Sequence, residues 1–381
     1  MSRPHKHIMI VAGEASGDMH AAHLVDEIKK LDPSITFSGL GGTKMKESGV
    51  ELYEDLTRLA VVGFWEIWTH YTDIKRIFNL IVEKVQTTQT KSVILVDYPG
   101  FNLLLAKQLK KLNVQVLYYI SPQVWAWKKS RVKTIKKYVD KMFVLFKFEK
   151  EFYAKFDVDV ELVGHPLVDT ITLSSSKNEI LSSLGFSQEK LTIGILPGSR
   201  QKEINTLLPI MLEACQIIYD THPQAQFMII KAPTIERTHM EKLSSHVHFP
   251  LRIIEEKRYD SINASDLCIV ASGTATLETG LLEKPMVVVY KTSFLTWLLA
   301  KMFIKIPDIG LVNVVAEKRI VPECIQFQAT GKNIAKELMD IYSDKIKIAD
   351  IKAGLQNLKN LLGEPEASRR AAEKILNHLY L

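Results

Sequence analysis

Short, almost continuously apolar runs rich in Val, Ile and Leu recur along the chain, separated by longer stretches of helical spacing. A run such as Ile8–Ala12 (IMIVA) or Leu267–Ala271 (LCIVA) has no alternating polar positions, so as a strand it has no face for water. Strands of that kind belong to parallel sheets covered by helices on both sides. Further candidate strands are Ser92–Val96, Val114–Ile120, Met142–Phe146 and Val160–Val163 in the first half, and Leu191–Leu196, Gln226–Ile230, Leu251–Ile254 and Met286–Tyr290 in the second, several of them continuously apolar. Stretches such as His20–Leu31 and Phe101–Leu112 carry the helical period. Strands alternating with helices predict βαβ units and an α/β protein. At about 100–200 residues per domain, 381 residues hold two such domains, three at the outside.

The two halves open alike, each with an apolar strand running into a glycine turn and then a helix (IMIVAGEASGD, TIGILPGSR). Their joint is placed at Pro166–Lys190, where Ser174–Ser176 and Gly185 interrupt the pattern. A second break falls at Gly363–Pro365, and Glu366–Leu381 reads as one more helix with Ala371, Ile375, Leu376 and Leu379 on a face.

Apolar residues at 46% and charged residues at 24% argue against disorder or a fibrous repeat. The net charge of +6 is concentrated: Lys128–Lys150 holds nine basic and two acidic residues. One basic stretch points to a local anionic contact rather than to nucleic acid. Cys215, Cys268 and Cys324 lie far apart, which excludes a disulfide framework and a C-x-x-C zinc site and suits a reducing cytoplasm. The N-terminal MSRPHKHIMIVAGEASGD turns polar too soon for a signal-peptide core. The run nearest to a membrane span, Phe294–Ile306, is short and broken by Lys301 and Lys305, so any membrane contact is expected at the surface.

GEASGD (Gly13–Asp18) sits where a strand ends and a helix begins. Backbone N–H groups and the positive helix end favour an anionic or hydroxylated ligand there. A tight turn capped by Ser16 or Asp18 accounts for the same residues, and GLGG (Gly39–Gly42) reads as a turn. VDYPGFN (Val96–Asn102) puts Asp97 at the C-terminal edge of a parallel sheet, where open α/β folds bind ligands. A carboxylate there can take a proton from a substrate hydroxyl; the alternative, a helix N-cap, sits awkwardly before Pro99. In SPQVWAWKKSRVKTIKK, Trp125 and Trp127 precede the basic run, which fits a lipid or phosphate contact and a solvated helix face equally well.

LPGSR (Leu196–Arg200) brings backbone N–H groups and Arg200 to a phosphate-sized anion. In ASGTATLETG, the small residues Ser272, Gly273, Thr274 and Thr276 let phosphates approach a helix N-terminus. Glu278, one turn further on, can accept from both hydroxyls of a ribose, so a nucleoside diphosphate site is expected in this half. Asp157-Val158-Asp159 precedes a strand and reads as solvated surface; no metal is expected. Val61–Val82 has a helical apolar stripe, by default core, but Phe64, Ile67 and Tyr71 widen it toward a membrane interface.

Taken together, VAGEASGD, DYPGFN, SPQVWAW, VGHP, LPGSR and SGTATLE resemble, in order and spacing, the lipid-A-disaccharide synthases, a family of bacterial glycosyltransferases, from about residue 7 to the C-terminus. The resemblance implies a GT-B architecture, two Rossmann-like domains facing a cleft, with the C-terminal helix returning to the first. Residues 1–167 plus 364–381 would form an acceptor and membrane-side domain, and 168–363 a nucleotide-sugar domain. It implies transfer of a diacylglucosamine from UDP to the 6-hydroxyl of diacylglucosamine 1-phosphate, with inversion and with no cofactor. Asp97 matches the family's essential aspartate; Gly100 stands where some relatives carry a second one. Ser199, Arg200, Ser272, Gly273, Thr274, Thr276, Glu278 and Asn313 are expected at the nucleotide, and Glu14, Ser16 and Asn102 on the acceptor side. Phe64, Trp65, Trp68 and Trp297 are expected at an anionic inner-membrane surface, on a cytoplasmic protein for which a homodimer stays open. A sugar-nucleotide epimerase of the same fold would need no lipid-facing segments, and a non-catalytic membrane adaptor would leave Asp97 unexplained.

Overall fold

The computed structural model describes residues 6–57, 71–125, 130–294, 297–298 and 307–379. The chain divides into two compact units, Met1–Asp169 with Gly363–Leu381, and Thr170–Leu362. The first holds seven parallel strands, β1 (Lys6–Ala12), β2 (Ile35–Gly41), β3 (Glu51–Asp55), β4 (Ser92–Val96), β5 (Gln115–Tyr119), β6 (Lys141–Val144) and β7 (Val160–Leu162), in the order β3-β2-β1-β4-β5-β6-β7. The second holds β8 (Thr192–Leu196), β9 (Gln226–Ile230), β10 (Leu251–Ile254), β11 (Leu267–Ala271), β12 (Met286–Tyr290) and β13 (Glu323–Ile325), in the order β10-β9-β8-β11-β12-β13. The continuously apolar runs became central strands, because only a strand buried on both faces requires such a run; β4, β5, β8, β9 and β11 are buried at every residue.

Each sheet is doubly wound. In the first, the chain leaves β1 toward β2 and β3 and returns to pair β4 against the other side of β1, with Ala12 opposite Val96. In the second, β8 is flanked by β9 and β11 in the same way. The C-terminal ends of β1 and β4, and of β8 and β11, are therefore the two topological switch points, where the flanking loops diverge and leave a crevice. Helices α1 (Ala15–Leu31), α2 (Thr43–Glu47), α3 (Pro99–Lys111), α4 (Lys147–Ala154), α5 (Gln201–Thr221), α6 (Arg258–Ala264) and α7 (Thr274–Leu281) start at or near these edges. The last helix, α8 (Ala367–Leu376), belongs to the first unit and buries Ala371, Ala372 and Ile375. The Asp169 carboxylate moors its start by accepting from the backbone N–H groups of Glu366 (2.6 Å) and Ser368 (3.1 Å).

Three strands were not expected from the sequence: β2, β3 and β13. GLGG is not a turn, since Gly39–Gly41 completes β2 and only Gly42 precedes α2. The glycines hide the strand by lowering its apolar content, yet the sheet needs one of them. Gly39 has φ +154°, and a Cβ there would stand 1.8 Å from the Ile10 carbonyl oxygen of the paired strand. Of the aromatic stripe, Ile77 and Ile81 are buried and Phe78 packs on Phe101 at 5.6 Å, while Phe64, Trp65 and Trp68 lie outside the described residues.

Gly39→Ala is expected to lose about 3 kcal/mol or more of stability, because both contact and dihedral are backbone constraints. Gly100→Ala, where an added Cβ meets nothing within 4 Å, should change stability by about 1 kcal/mol or less. Paired urea melts check this; equal midpoints would contradict it.

Candidate functional site

At the first switch point the GEASGD and DYPGFN loops lie against each other. A Cβ on Gly13 would meet the Tyr98 ring at 2.1 Å, so glycine is what lets that ring cover the end of β1. Burial, with the Glu14 charge nearby, raises the Tyr98 hydroxyl above its ordinary value and keeps it neutral. Asp97 and Tyr98 both adopt left-handed backbone conformations, φ +45° each. Two such non-glycine residues in succession cost of order 1–3 kcal/mol each and persist only where their surroundings enforce them.

The enforcement is visible. Asp97 donates its N–H to the Tyr119 carbonyl at 3.1 Å. Its own carbonyl accepts from the Tyr118 hydroxyl and, at 2.8 Å, from the Asn102 amide, which also reaches the Val96 carbonyl at 3.2 Å. The N-cap of α3 is Tyr98, with Pro99 in the first turn, so Asp97 is not a capping residue. Asp97 itself is half-buried at the sheet's edge, directly after β4.

Two expectations for this edge change. Asn102, expected on the acceptor side, is fully buried, and its amide donates to the Asp97 carbonyl. Asp18 is buried and caps α2, accepting from the N–H groups of Gly42 (2.7 Å), Lys44 (3.0 Å) and Met45 (3.1 Å). Of that loop, Glu14 is half-buried and Ser16 exposed. The VGHP histidine, His165, accepts from the Leu167 N–H at 3.1 Å and meets His20 edge-on at 5.9 Å; burial holds both rings neutral, near 3 and 4 respectively. Asp157 and Asp159 are solvent-facing and pair with Lys136 (3.5 Å) and Lys141 (2.5 Å), so part of the basic stretch is neutralised within the chain.

Sequence reasoning missed Glu149. This side chain, in the first turn of α4, is buried and accepts from the N–H groups of Leu145 and Phe146 at 3.1 Å each. Burial lifts its carboxyl from 4.5 to about 7, against those two hydrogen bonds, and the Asp97 charge adds to the rise. In the sequence it is one acid among lysines (FKFEKEF), with nothing to mark it as enclosed.

At the second switch point, Leu196–Arg200 turns off β8 through Gly198, whose φ is +116°. Glu203, in the first turn of α5, accepts from the Ser199 N–H at 3.4 Å and from Arg200 Nη1 at 3.2 Å, while the Arg200 side chain stays 55% exposed. The Ser199 carbonyl accepts from the Thr234 hydroxyl at 2.8 Å. Off β11, Gly273 adopts φ +146° with open space where a Cβ would stand, and Thr274 begins α7. An anion at that helix start would meet unsatisfied N–H groups and the positive end of the helix.

Three residues expected at the nucleotide have side-chain hydrogen bonds within the chain. Thr276 is fully buried, donating to the Gly273 carbonyl (2.8 Å) and accepting from the Val312 N–H (3.3 Å). Asn313 is fully buried: its amide donates to the Val321 carbonyl and Glu323 Oε1, and its oxygen accepts from the Ile320 and Val321 N–H groups. The Ser272 hydroxyl donates to the Ile309 carbonyl at 3.0 Å. All three brace the loop that presents Gly273 and Thr274, so Ser199, Arg200, Gly273, Thr274 and Glu278 remain at the edge. Glu278 carries a partner that the sequence does not announce: Arg258 donates to its Oε2 from Nε (3.1 Å) and Nη2 (2.6 Å). In sequence, Arg258 is one cation in a charged loop (EEKR).

Two doubly wound parallel-sheet units, each with a polar ligand edge at its switch point, are the architecture shared by UDP-sugar epimerases and two-domain glycosyltransferases. A solved putative UDP-N-acetylglucosamine 2-epimerase from Listeria monocytogenes superposes with a TM-score of 0.69 at 15% identity, covering 99% of this chain and 97% of that one. CalG4, the calicheamicin glycosyltransferase, superposes with a TM-score of 0.62 at 12% identity, covering 98% of each. Likeness at such identity defines the fold. The family follows from sequence: the model for lipid-A-disaccharide synthetase matches residues 8–377. The lipid-A-disaccharide synthase of Syntrophus aciditrophicus is 42% identical over 368 residues, 96% of each chain. This chain belongs to the lipid-A-disaccharide synthase family of glycosyltransferases.

The buried Glu149 makes stability pH-dependent with a definite sign. A carboxyl whose folded value lies above its unfolded one contributes stability fully below about 4.5 and loses it as pH rises through about 7. Glu149→Gln should therefore flatten the fall in melting temperature between about pH 5 and about pH 8. An unchanged slope would mean that Glu149 ionises normally.

Proposed function

We propose that the chain transfers a diacylglucosamine from its UDP carrier to the 6-hydroxyl of diacylglucosamine 1-phosphate, forming the β-1,6 disaccharide 1-phosphate and UDP. The observation that carries this reading is the Asp97 carboxylate, held at a switch point by an enforced left-handed backbone in a chain of this family. Asp97 takes the proton of the 6-hydroxyl as its oxygen attacks the anomeric carbon; the bond to the UDP oxygen breaks on the opposite face, which inverts that centre. Arg200 and the start of α7 stabilise charge on the departing diphosphate, and Glu278 accepts from the ribose hydroxyls. Holding the diphosphate in this way requires no metal ion. In this reading, residues 1–167 with 364–381 carry the acceptor and 168–363 the nucleotide sugar.

The second element of the proposal is a lipid-facing surface on the cytoplasmic side of the inner membrane. No helix among the described residues is long and apolar enough to cross a membrane. An exposed aromatic cluster does occur: Trp297 packs on Phe327 at 5.0 Å and Phe294 at 6.0 Å, with Phe294 60% and Phe327 64% exposed. Aromatic rings beside acyl chains suit that environment. An epimerase reading draws on fold likeness at 15% identity, against 42% for the synthase.

Asp97→Asn should lower turnover roughly 10²–10⁴-fold while UDP still binds, since a base is lost and the nucleotide contacts lie in the other unit. Arg200→Ala and Glu278→Ala should weaken UDP binding by about 1.5–3 kcal/mol, the scale of a hydrogen bond to a charged group. Release of UDP from UDP-diacylglucosamine only when the acylated acceptor is present supports transfer; release or epimerisation without acceptor overturns it. Binding to anionic vesicles should exceed that to neutral ones and fade with salt, by about 1 kcal/mol for each lysine engaged. Replacing the exposed Lys133 and Lys137 with glutamine tests the basic face, and equal binding to both vesicle types would contradict it.

A further inference from the structure

We propose that Arg258 is a positioning residue for Glu278, and that the pair makes the second-unit site select a ribonucleotide over its 2′-deoxy analogue. This rests on the reading of Glu278 as the ribose acceptor. Arg258 begins α6 directly after Lys257, a left-handed residue at φ +51° that turns the chain sharply off the loop following β10. From there the guanidinium reaches across the C-terminal sheet edge. Nε (3.1 Å) and Nη2 (2.6 Å) both donate to Glu278 Oε2, and Nη1 stands 3.5 Å from the Lys231 carbonyl at the end of β9. Side-chain exposure is only 21% for Arg258 and 14% for Glu278, so the ion pair is largely removed from water.

The geometry assigns the two carboxylate oxygens different tasks. Oε2 receives both guanidinium donors, which sets the plane of the carboxylate and removes the torsional freedom of a three-torsion side chain. Oε1, which takes no bond from Arg258, is thereby held in one orientation. Vicinal hydroxyls on adjacent carbons require acceptor lone pairs in a fixed plane, and a carboxylate offers about four lone-pair sites to share between them and the arginine. Arginine suits the task and lysine does not, because its fork is planar and its donors diverge at a set angle, whereas an ammonium is a point charge. The same arrangement argues against Arg258 as a diphosphate ligand. Its donors are turned to Glu278 and the Lys231 carbonyl and its charge is offset, leaving the exposed Arg200 for the phosphates.

The experiment is calorimetric titration of the full chain with UDP, 2′-deoxy-UDP and inorganic pyrophosphate, with melting curves for each variant. The wild type should prefer UDP over 2′-deoxy-UDP roughly tenfold or more, the scale of one hydrogen bond to a charged acceptor. Glu278→Gln and Arg258→Gln should each bring that ratio close to one while pyrophosphate binds as before, and Arg258→Lys should recover part of it. If Arg258→Gln keeps the wild-type ratio while Glu278→Gln loses it, the arginine does not position the carboxylate; the inference falls and the ribose reading stands. Weaker pyrophosphate binding in Arg258→Gln with an unchanged ratio would make Arg258 a phosphate ligand, which also overturns it. If Glu278→Gln keeps the wild-type ratio, the ribose reading fails and takes the inference with it. Should Arg258→Gln not fold, Arg258→Lys decides the matter: a full wild-type ratio there is the overturning result.

Discussion

The parallel pairing of β1 with β4 is the contact on which the first unit's chemistry depends. With Ala12 opposite Val96, both strands end at one level, and the loops that follow must leave in opposite directions along the sheet. Their crossing is close enough that Gly13 can be nothing larger under the Tyr98 ring. The strain at Asp97 and Tyr98 follows, since the chain has to leave β4, clear Gly13 and enter α3 within a few residues. Such strain persists because Tyr118 and Asn102 both grip the Asp97 carbonyl, side chains supplied by the neighbouring strand and the following helix. The catalytic proposal for Asp97 is thus a consequence of backbone geometry before it is a matter of carboxylate chemistry.

The second unit repeats the plan with different reinforcement. Here the ligand edge is braced by buried polar side chains: Asn313 and Glu323 together tie down the backbone from Ile309 to Val321, and Thr276 joins that segment to Gly273. Each of these groups has hydrogen bonds within the chain, and the loop they hold leaves open space at Gly273. Polar residues in a nucleotide-site motif therefore divide into those that meet the ligand and those that shape the turn, and burial separates them.

Much of this was legible in the sequence for one reason: a strand buried on both faces leaves a largely apolar run, and Ser92–Val96, Gln226–Ile230, Leu267–Ala271 and Met286–Tyr290 appear at the boundaries read from it. β2 and β3 were hidden because ITFSGLG and ELYED lack that run; β2 is a strand because β1 holds it and Gly39 lets the backbones approach. Of the candidate site, Asp97, Arg200 and Glu278 were legible as candidates, being charged groups in the turns or early helix turns that follow buried strands. Arg258 and Glu149 could not, because a charged residue in a charged stretch carries no local mark of enclosure.

The sequence by itself determined the alternation of strands and helices, the positions of the glycine turns and the residue types available at each strand's end, since these depend on local period and backbone sterics. Tertiary structure decided which of those residues stay open at a strand's edge and which are buried. Asn102, Thr276 and Asn313 have the same chemistry as groups that bind substrates, and their burial, with contacts such as that between the Val312 N–H and Thr276, comes only with the folded chain. Glu278 became an oriented acceptor only when Arg258, twenty positions earlier, was folded against it. What occupies a side chain's hydrogen-bonding capacity at such an edge is decided by the loops and helices folded against it, as Arg258 and Val312 are here.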